Sequence, residues 1–136
     1  MLGLGLLSAV AAEKKIIGGP QGGRLLDGTN PRAEFFVEKD HTVTIAFYDA
    51  NLKPTPVTTQ SAAVIAEANT GKAKLAFVKK GDALVSESPL PEGDGYNVVV
   101  QMKQSADAKP QNFRIKFDES ICNECKRAEY ACICGD

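Results

Sequence analysis

The chain has 136 residues, with 16 basic and 17 acidic side chains, a formal net charge of −1, one histidine and no tryptophan. A near-neutral chain without a basic stripe is a poor partner for nucleic acid, so we expect no nucleic-acid partner. Since only one histidine can serve as an oriented base, the composition also disfavours hydrolytic triads, and we expect no enzymatic activity.

Residues 1–12 resemble a secretory signal segment. Positions 2 to 12 form an apolar run that closes with small residues, and charge begins at Glu13. The run is shorter than the roughly 20 apolar residues of a membrane span. We therefore expect export to a periplasmic or secreted location, cleavage near Ala12, and no stable membrane span in the mature chain. No Lys or Arg precedes the run, and a buried N-terminal helix or strand is the alternative.

Residues 13–23 form a glycine-rich segment before the first strand. The motif GGPQGG at residues 18–23 is not followed by the Lys-Ser or Lys-Thr pair of a phosphate-binding loop. The motif therefore predicts a flexible or tightly turned lead into the sheet.

Residues 24–118 show the pattern of short antiparallel strands. Val43, Ile45 and Phe47 alternate with smaller or polar residues, a period of two that is typical of a half-buried strand. Turn residues separate the apolar segments 33–38, 42–48, 62–67, 73–78, 83–86, 96–103 and 112–117. This layout predicts an all-β fold, an antiparallel β-sandwich of immunoglobulin-like size, with a closed barrel as the alternative. The predicted core consists of Val43, Ile45, Phe47, Val64, Leu75, Phe77, Val98, Val100, Phe113, Ile115 and Phe117.

His41 is the single histidine and falls in the turn between the first two of these strands. An exposed turn does not orient a catalytic base, so we predict a solvated turn residue. A metal-ligand role is the alternative.

A resemblance to a known family begins at Gly19. The residues GPQGGRLL at 19–26, followed by AEFFVEKDHTVTIAFYDANLKPTPV at 33–57, resemble a family of small exported bacterial domains that open with a GP(H)GG(R) motif. The resemblance implies an accessory domain beside, or fused to, periplasmic adaptor subunits of heavy-metal efflux systems. It also implies a periplasmic efflux-system protein as partner. Gln21 stands where many members have histidine, which argues against a metal role for the glycine motif.

The four cysteines of the chain all lie in a tail at residues 119–136. Cys122 and Cys125 form a C-x2-C pair, and Cys132 and Cys134 form a C-x-C pair six residues later. Clustered thiolates bind soft or borderline metals, so the tail predicts a Zn²⁺ or Cu⁺ site with all four cysteines as ligands. Nearby carboxylates at Asp118, Glu119 and Glu124 are expected to solvate the tail, with an oxygen ligand as the alternative.

Two functions remain open from the sequence. The first is an exported, non-enzymatic metal-binding module, in which only the tail orders on binding the ion. The second is a structural or protein-interaction domain whose tail is stapled by disulfides, as an oxidising compartment favours. A thiol oxidoreductase is a third alternative, disfavoured because no βαβ pattern accompanies the C-x2-C pair.

Overall fold

The structure is a computed structural model that describes residues 17–26, 28–29, 31–93, 95–118, 120–124 and 126–131. Over these residues the chain forms ten β-strands and a single-turn 3-10 helix at Glu129–Ala131, with no α-helix. No helix in this part of the chain has the length and apolar character to cross a membrane. The strands are β1 (Ile17–Gly18), β2 (Arg24–Leu26), β3 (Arg32–Val37), β4 (Val43–Tyr48), β5 (Pro54–Thr55), β6 (Ser61–Ala68), β7 (Gly71–Lys80), β8 (Ala83–Ser86), β9 (Tyr96–Lys103) and β10 (Gln111–Phe117).

All the strand pairs are antiparallel, in the order β1-β2-β3-β4-β8-β7-β6-β9-β10, with β5 paired to β4. Strand β7 belongs to both halves of the sheet. Its first part pairs with β6 and its last four residues, from Phe77 to Lys80, pair with β8. The single sheet curls, and its two halves enclose one core. The all-β antiparallel prediction is thus confirmed, and β7 joins the two layers.

The core lies between the two halves of the sheet. Phe35 and Ile45 on one side and Val98 and Ile115 on the other belong to a single buried cluster. Every predicted core residue is buried except Phe77 and Phe113, which pack at the edge of the cluster. Phe113 lies on β10, the last strand in the order, and has a neighbouring strand on one side only. Phe77 lies where β7 passes from one half of the sheet to the other.

The turn between β3 and β4 holds His41 more tightly than the sequence predicts. His41 has a positive φ of 73°, and its amide donates to the carbonyl oxygen of Glu38 at 2.9 Å. Its ring meets the ring of Phe117 edge-on, with 6.4 Å between the centroids. His41 is therefore half-buried against the core rather than solvated.

Candidate functional site: the glycine loop and the cysteine tail

The glycine motif folds into a closed loop at residues 19–23. The amide of Gly19 donates to the carbonyl of Gly23 at 2.9 Å, and the amide of Gly22 donates to the carbonyl of Gly19 at 3.1 Å. Gly22 has a φ of +94°, a conformation that side chains other than glycine adopt only with strain. The motif is therefore a tight turn that leads into β2.

This loop surrounds the carboxylate of Glu34, which is completely buried on β3. One carboxylate oxygen, Oε2, accepts hydrogen bonds from the amides of Gly23 at 2.7 Å and Gln21 at 3.0 Å. The other, Oε1, accepts from the hydroxyl of Tyr48 at 2.6 Å. A buried carboxylate is costly unless donors satisfy its oxygens, and these three donors do so. We define the glycine cradle as residues 19–23 together with Glu34 and Tyr48.

The close approach of loop and carboxylate explains the glycines. A Cβ atom at Gly19 would overlap the carboxyl group of Glu34. At Gly23, a Cβ would overlap the carbonyl oxygen of Phe35 and lie 2.9 Å from Glu34 Oε2. The cradle therefore requires glycine at both positions.

Tyr48 serves the cradle as a neutral donor. Burial of the phenol, its hydrogen bond to Glu34 and the negative charge of that carboxylate together raise the pKa of Tyr48 to about 12. The side-chain nitrogen of Gln21 lies 3.4 Å from Glu34 Oε1 and 3.5 Å from the Tyr48 hydroxyl. At neutral pH, the hydroxyl keeps its proton and stabilises the buried carboxylate.

The cysteine tail continues from β10 into a small hairpin at residues 121–128. Ile121 and Ala128 form an antiparallel bridge. Inside it, the amide of Cys122 donates to the carbonyl of Arg127 at 2.8 Å, and the amide of Lys126 donates to the carbonyl of Cys122 at 2.9 Å. Lys126 has a φ of +63°, which lets the chain reverse direction here. The hairpin therefore holds Cys122, the first residue of the C-x2-C motif.

Of the four predicted ligands, the structure places Cys122, whose residue is 8% exposed. Cys125, Cys132 and Cys134 lie outside the described residues. Within the part of the chain that is described, no group of three or more His, Cys, Asp or Glu side chains is arranged to hold a metal ion. The four-thiolate site therefore stays a prediction from the sequence.

Arg127 connects the tail to the glycine cradle. Its Nη2 atom donates to the carbonyl oxygens of Gly19 at 3.0 Å and Gly23 at 3.1 Å. Its Nε atom donates to the carbonyl of Ala131 at 3.2 Å, within the tail itself. One guanidinium therefore binds two carbonyls of the loop and one carbonyl at the far end of the described tail.

Tyr130 anchors the tail in the core. Its hydroxyl accepts a hydrogen bond from the amide of Val37 at 2.9 Å. Its ring meets Phe35 edge-on, with 5.7 Å between centroids, and lies 6.0 Å from the ring of Phe117. Tyr130 and Ala131 are both buried in the main core cluster. The described tail is thus part of the domain.

The carboxylates near the cysteines have separate surroundings. Asp118 accepts a hydrogen bond from the amide of Ser120 at 3.0 Å, and this bond is the main cause that lowers the pKa of Asp118. Glu124 is exposed in the hairpin, and Glu119 lies outside the described residues. Asp118 therefore stabilises the turn that leads from β10 into the tail.

A groove of about 930 Å³ separates the tail hairpin from the outer surface of the sheet. Phe36 and Val85 line it from the sheet, and Ile121 and Ala128 line it from the hairpin. Ile121 is 60% exposed, so its side chain is open to solvent at the groove's edge. Charged and polar residues, among them Glu38, Lys39 and Lys80, also line the groove, so it is a mixed apolar and charged surface beside the hairpin.

No protein-family model, curated protein or solved structure matches the chain. The fold and site define an antiparallel all-β domain with a docked tail that carries Cys122. Sequence reasoning missed Glu34, Tyr48 and Tyr130, and it did not predict the contact of Arg127 with the glycine loop. The sequence signal for Glu34 was a glutamate within an otherwise apolar strand, shortly after a glycine motif that matched no phosphate-binding pattern.

Proposed function

We propose that the protein is an exported, non-enzymatic accessory module that binds one Zn²⁺ or Cu⁺ through Cys122, Cys125, Cys132 and Cys134. The observation that supports this most directly is the hairpin at residues 121–128, which contains Cys122 and is fastened to the domain through Arg127. Thiolate sulfur is a good ligand for both ions.

The hairpin lowers the cost of assembling a site. The two backbone hydrogen bonds between Cys122 and residues 126 and 127 fix the turn around the motif. A turn that is already formed loses less conformational entropy when a metal binds than an extended tail would. Cys122, the one described member of the proposed ligand set, therefore lies in an ordered segment rather than at a free chain end.

The charges of the tail also suit a thiolate centre. Four thiolates around Zn²⁺ carry a net charge of −2, and Lys126 and Arg127 directly follow Cys125. Cations next to a negative centre stabilise it, and they favour the thiolate over the thiol. Arg127 donates to uncharged carbonyl oxygens of Gly19 and Gly23, so no carboxylate in these bonds neutralises its positive charge.

Export and a role in heavy-metal handling complete the proposal. They rest on the signal-like residues 1–12 and on the resemblance of residues 19–57 to domains beside periplasmic efflux adaptors. The partner we propose is accordingly a periplasmic protein of an efflux system. The groove between the hairpin and the sheet offers such a partner a mixed apolar and charged surface at Ile121, the residue before Cys122.

A structural or interaction domain with a disulfide-stapled tail is the second candidate. The burial of Tyr130 and Ala131 in the core favours it, because a tail that completes a core has a structural role without any metal. An oxidising compartment would also promote disulfide formation.

A thiol count on the native protein, with and without a chelator, separates the two candidates. If a metal holds the thiolates, few thiols react with a thiol reagent under native conditions and all four react once the chelator is added. If disulfides hold the tail, the count stays low in both conditions and rises only after reduction. The second pattern, together with no metal uptake by the reduced chain, would reject the metal site.

A further inference from the structure

Charge is unevenly distributed over the sheet. Strands β6, β7, β9 and β10 carry seven basic residues and a single acidic residue, Glu67, although the whole chain is nearly neutral. The basic residues are Lys72, Lys74, Lys79, Lys80, Lys103, Arg114 and Lys116. The folded chain therefore gathers positive charge that the sequence does not show as a continuous stripe.

The strand register arranges four of these cations in two columns. Two rows cross the strands in the order β7, β6, β9, β10: Lys74, Ile65, Val99 and Arg114, and then Lys72, Glu67, Asn97 and Lys116. Val64, Ala66 and Val98 alternate with these residues and are fully buried, so both rows lie on the outer face. We define the basic face as these two rows.

The space between the columns is apolar in the first row and polar in the second, where Glu67 and Asn97 lie. Lys72 and Lys74 lie on β7, Arg114 and Lys116 lie on β10, and all four are exposed. Ile65 and Val99 lie between the columns and are half-buried. Neighbouring strands are about 4.8 Å apart, so the columns are about 14 Å apart.

One carboxylate of the chain already lies on the basic face. Glu67 Oε1 is 2.8 Å from Arg114 Nη1, across the intervening strand β9. Their side chains are 29% and 58% exposed, respectively. An exposed pair of this kind contributes little to folding, so an incoming carboxylate can replace Glu67 at low cost.

We propose that the basic face binds an acidic, amphipathic α-helix of a partner protein. A helix is about 10–12 Å in diameter and fits between columns about 14 Å apart, with its apolar side on Ile65 and Val99. Carboxylates at positions i and i+4 of a helix are about 6 Å apart, close to the roughly 7 Å between successive rows of a strand face. A helix that runs parallel to the strands thus places carboxylates against both cations of each column. The proposal is independent of the metal site.

The probe is a fluorescently labelled peptide of about five helical turns, with leucine on one face and glutamate on both flanks. A scrambled peptide of the same composition is its control. Fluorescence anisotropy measures binding to the full chain and to three variants: K74E/R114E, K39E/K53E and E67Q. The K39E/K53E variant changes net charge equally, at exposed sites outside the four strands of the basic face.

We expect K74E/R114E to weaken binding about tenfold or more and K39E/K53E to weaken it by less than about twofold. E67Q should tighten binding about two- to fivefold, because Arg114 no longer has an internal partner. Three results would each overturn the proposal: equal losses in the two double variants, equal binding of the scrambled peptide, or no saturable binding at millimolar protein. Tighter binding of heparin or single-stranded DNA than of the helical peptide would also reject it, since the face would then be a general polyanion site.

Discussion

The hydroxyl of Tyr130 accepts a hydrogen bond from the amide of Val37 at 2.9 Å, across 93 positions of the chain. Tyr130 lies between the two cysteine pairs, and its ring packs in the same cluster as Phe35 and Phe117. The cysteine-bearing tail and the sheet are therefore expected to unfold as one unit.

Replacing Tyr130 tests this connection. Tyr130→Phe leaves the amide of Val37 without its acceptor and should lower the free energy of unfolding by about 1–3 kcal/mol. Tyr130→Ala also removes a buried ring and should cost about 3–5 kcal/mol. Urea denaturation measures both values.

The matched control is Tyr96→Phe, which removes a hydrogen bond to the carbonyl of Pro91 outside the tail. Amide hydrogen exchange should accelerate at Cys122 and Ala131 in Tyr130→Phe and stay unchanged there in Tyr96→Phe. Equal exchange of these tail amides in the two variants would show that Tyr130 does not anchor the tail.

Alanine substitutions in the glycine loop should lower stability by different amounts, according to the space available for a methyl group at each position. Gly19→Ala forces a methyl group into the carboxyl group of Glu34 and should cost more than about 3 kcal/mol. At Gly22 a methyl group meets nothing within 4 Å, so only the strain of the positive φ remains, about 1–2 kcal/mol. Thermal denaturation of both variants checks the order, and a Gly22→Ala variant less stable than Gly19→Ala would contradict the cradle.

Tyr48 should make stability depend on pH in the alkaline range. The pKa of Tyr48 is raised to about 12 in the native state, against about 10 for an unfolded tyrosine. The unfolded chain thus loses this proton first, the native state binds more protons, and stability falls as pH rises from about 10 to 12. Below about pH 10 the full contribution is present.

The measurement is urea denaturation at several pH values from about 9 to 12, for the parent chain and Tyr48→Phe. Tyr130 contributes with the same sign, because burial raises its pKa as well. Both chains are therefore studied in a Tyr130→Phe background. The fall in stability should be shallower without Tyr48, and identical slopes would rule out Tyr48 as its source.

Metal binding to the tail should stabilise the whole domain, because Arg127 fastens the hairpin to the glycine loop. At a free metal concentration about 100-fold above Kd, binding to the native state alone contributes about 2.7 kcal/mol. Arg127→Met should reduce the resulting rise in melting temperature, while Lys109→Met, at an exposed site outside the tail, should not. A rise of equal size in both variants would mean that the tail binds metal without coupling to the domain through Arg127.

The longer strands could be predicted because the alternation of apolar and polar side chains is visible in a few consecutive residues. Strand β8 matches residues 83–86 and β9 matches residues 96–103, as predicted. Strands β1 and β5 have two residues each, too few to show a period of two, and only the tertiary contacts define them. The glycine motif predicted the tight turn. It did not predict that the turn encloses the buried carboxylate of Glu34.

The docking of the tail could not be predicted from the pattern of apolar and polar residues, because its contacts join residues that are far apart in the sequence. The bonds from Arg127 to Gly19 and Gly23 join residues 108 and 104 positions apart. Sequence reasoning therefore expected a tail that orders only with metal, whereas the described tail packs on the sheet through Arg127 and Tyr130. The cysteines of the tail could be recognised as candidate metal ligands because their spacing is visible within a short stretch of sequence.

Native mass spectrometry of the full chain, purified under reducing and, in parallel, under non-reducing conditions, tests the proposed metal site most directly. The proposal predicts one Zn²⁺ or Cu⁺ per chain, lost on acidification because protons compete for the thiolates, and lost in Cys122→Ser. A chain that carries two disulfides as isolated, contains no metal under either reducing or oxidising conditions, and takes up neither ion after reduction would contradict it.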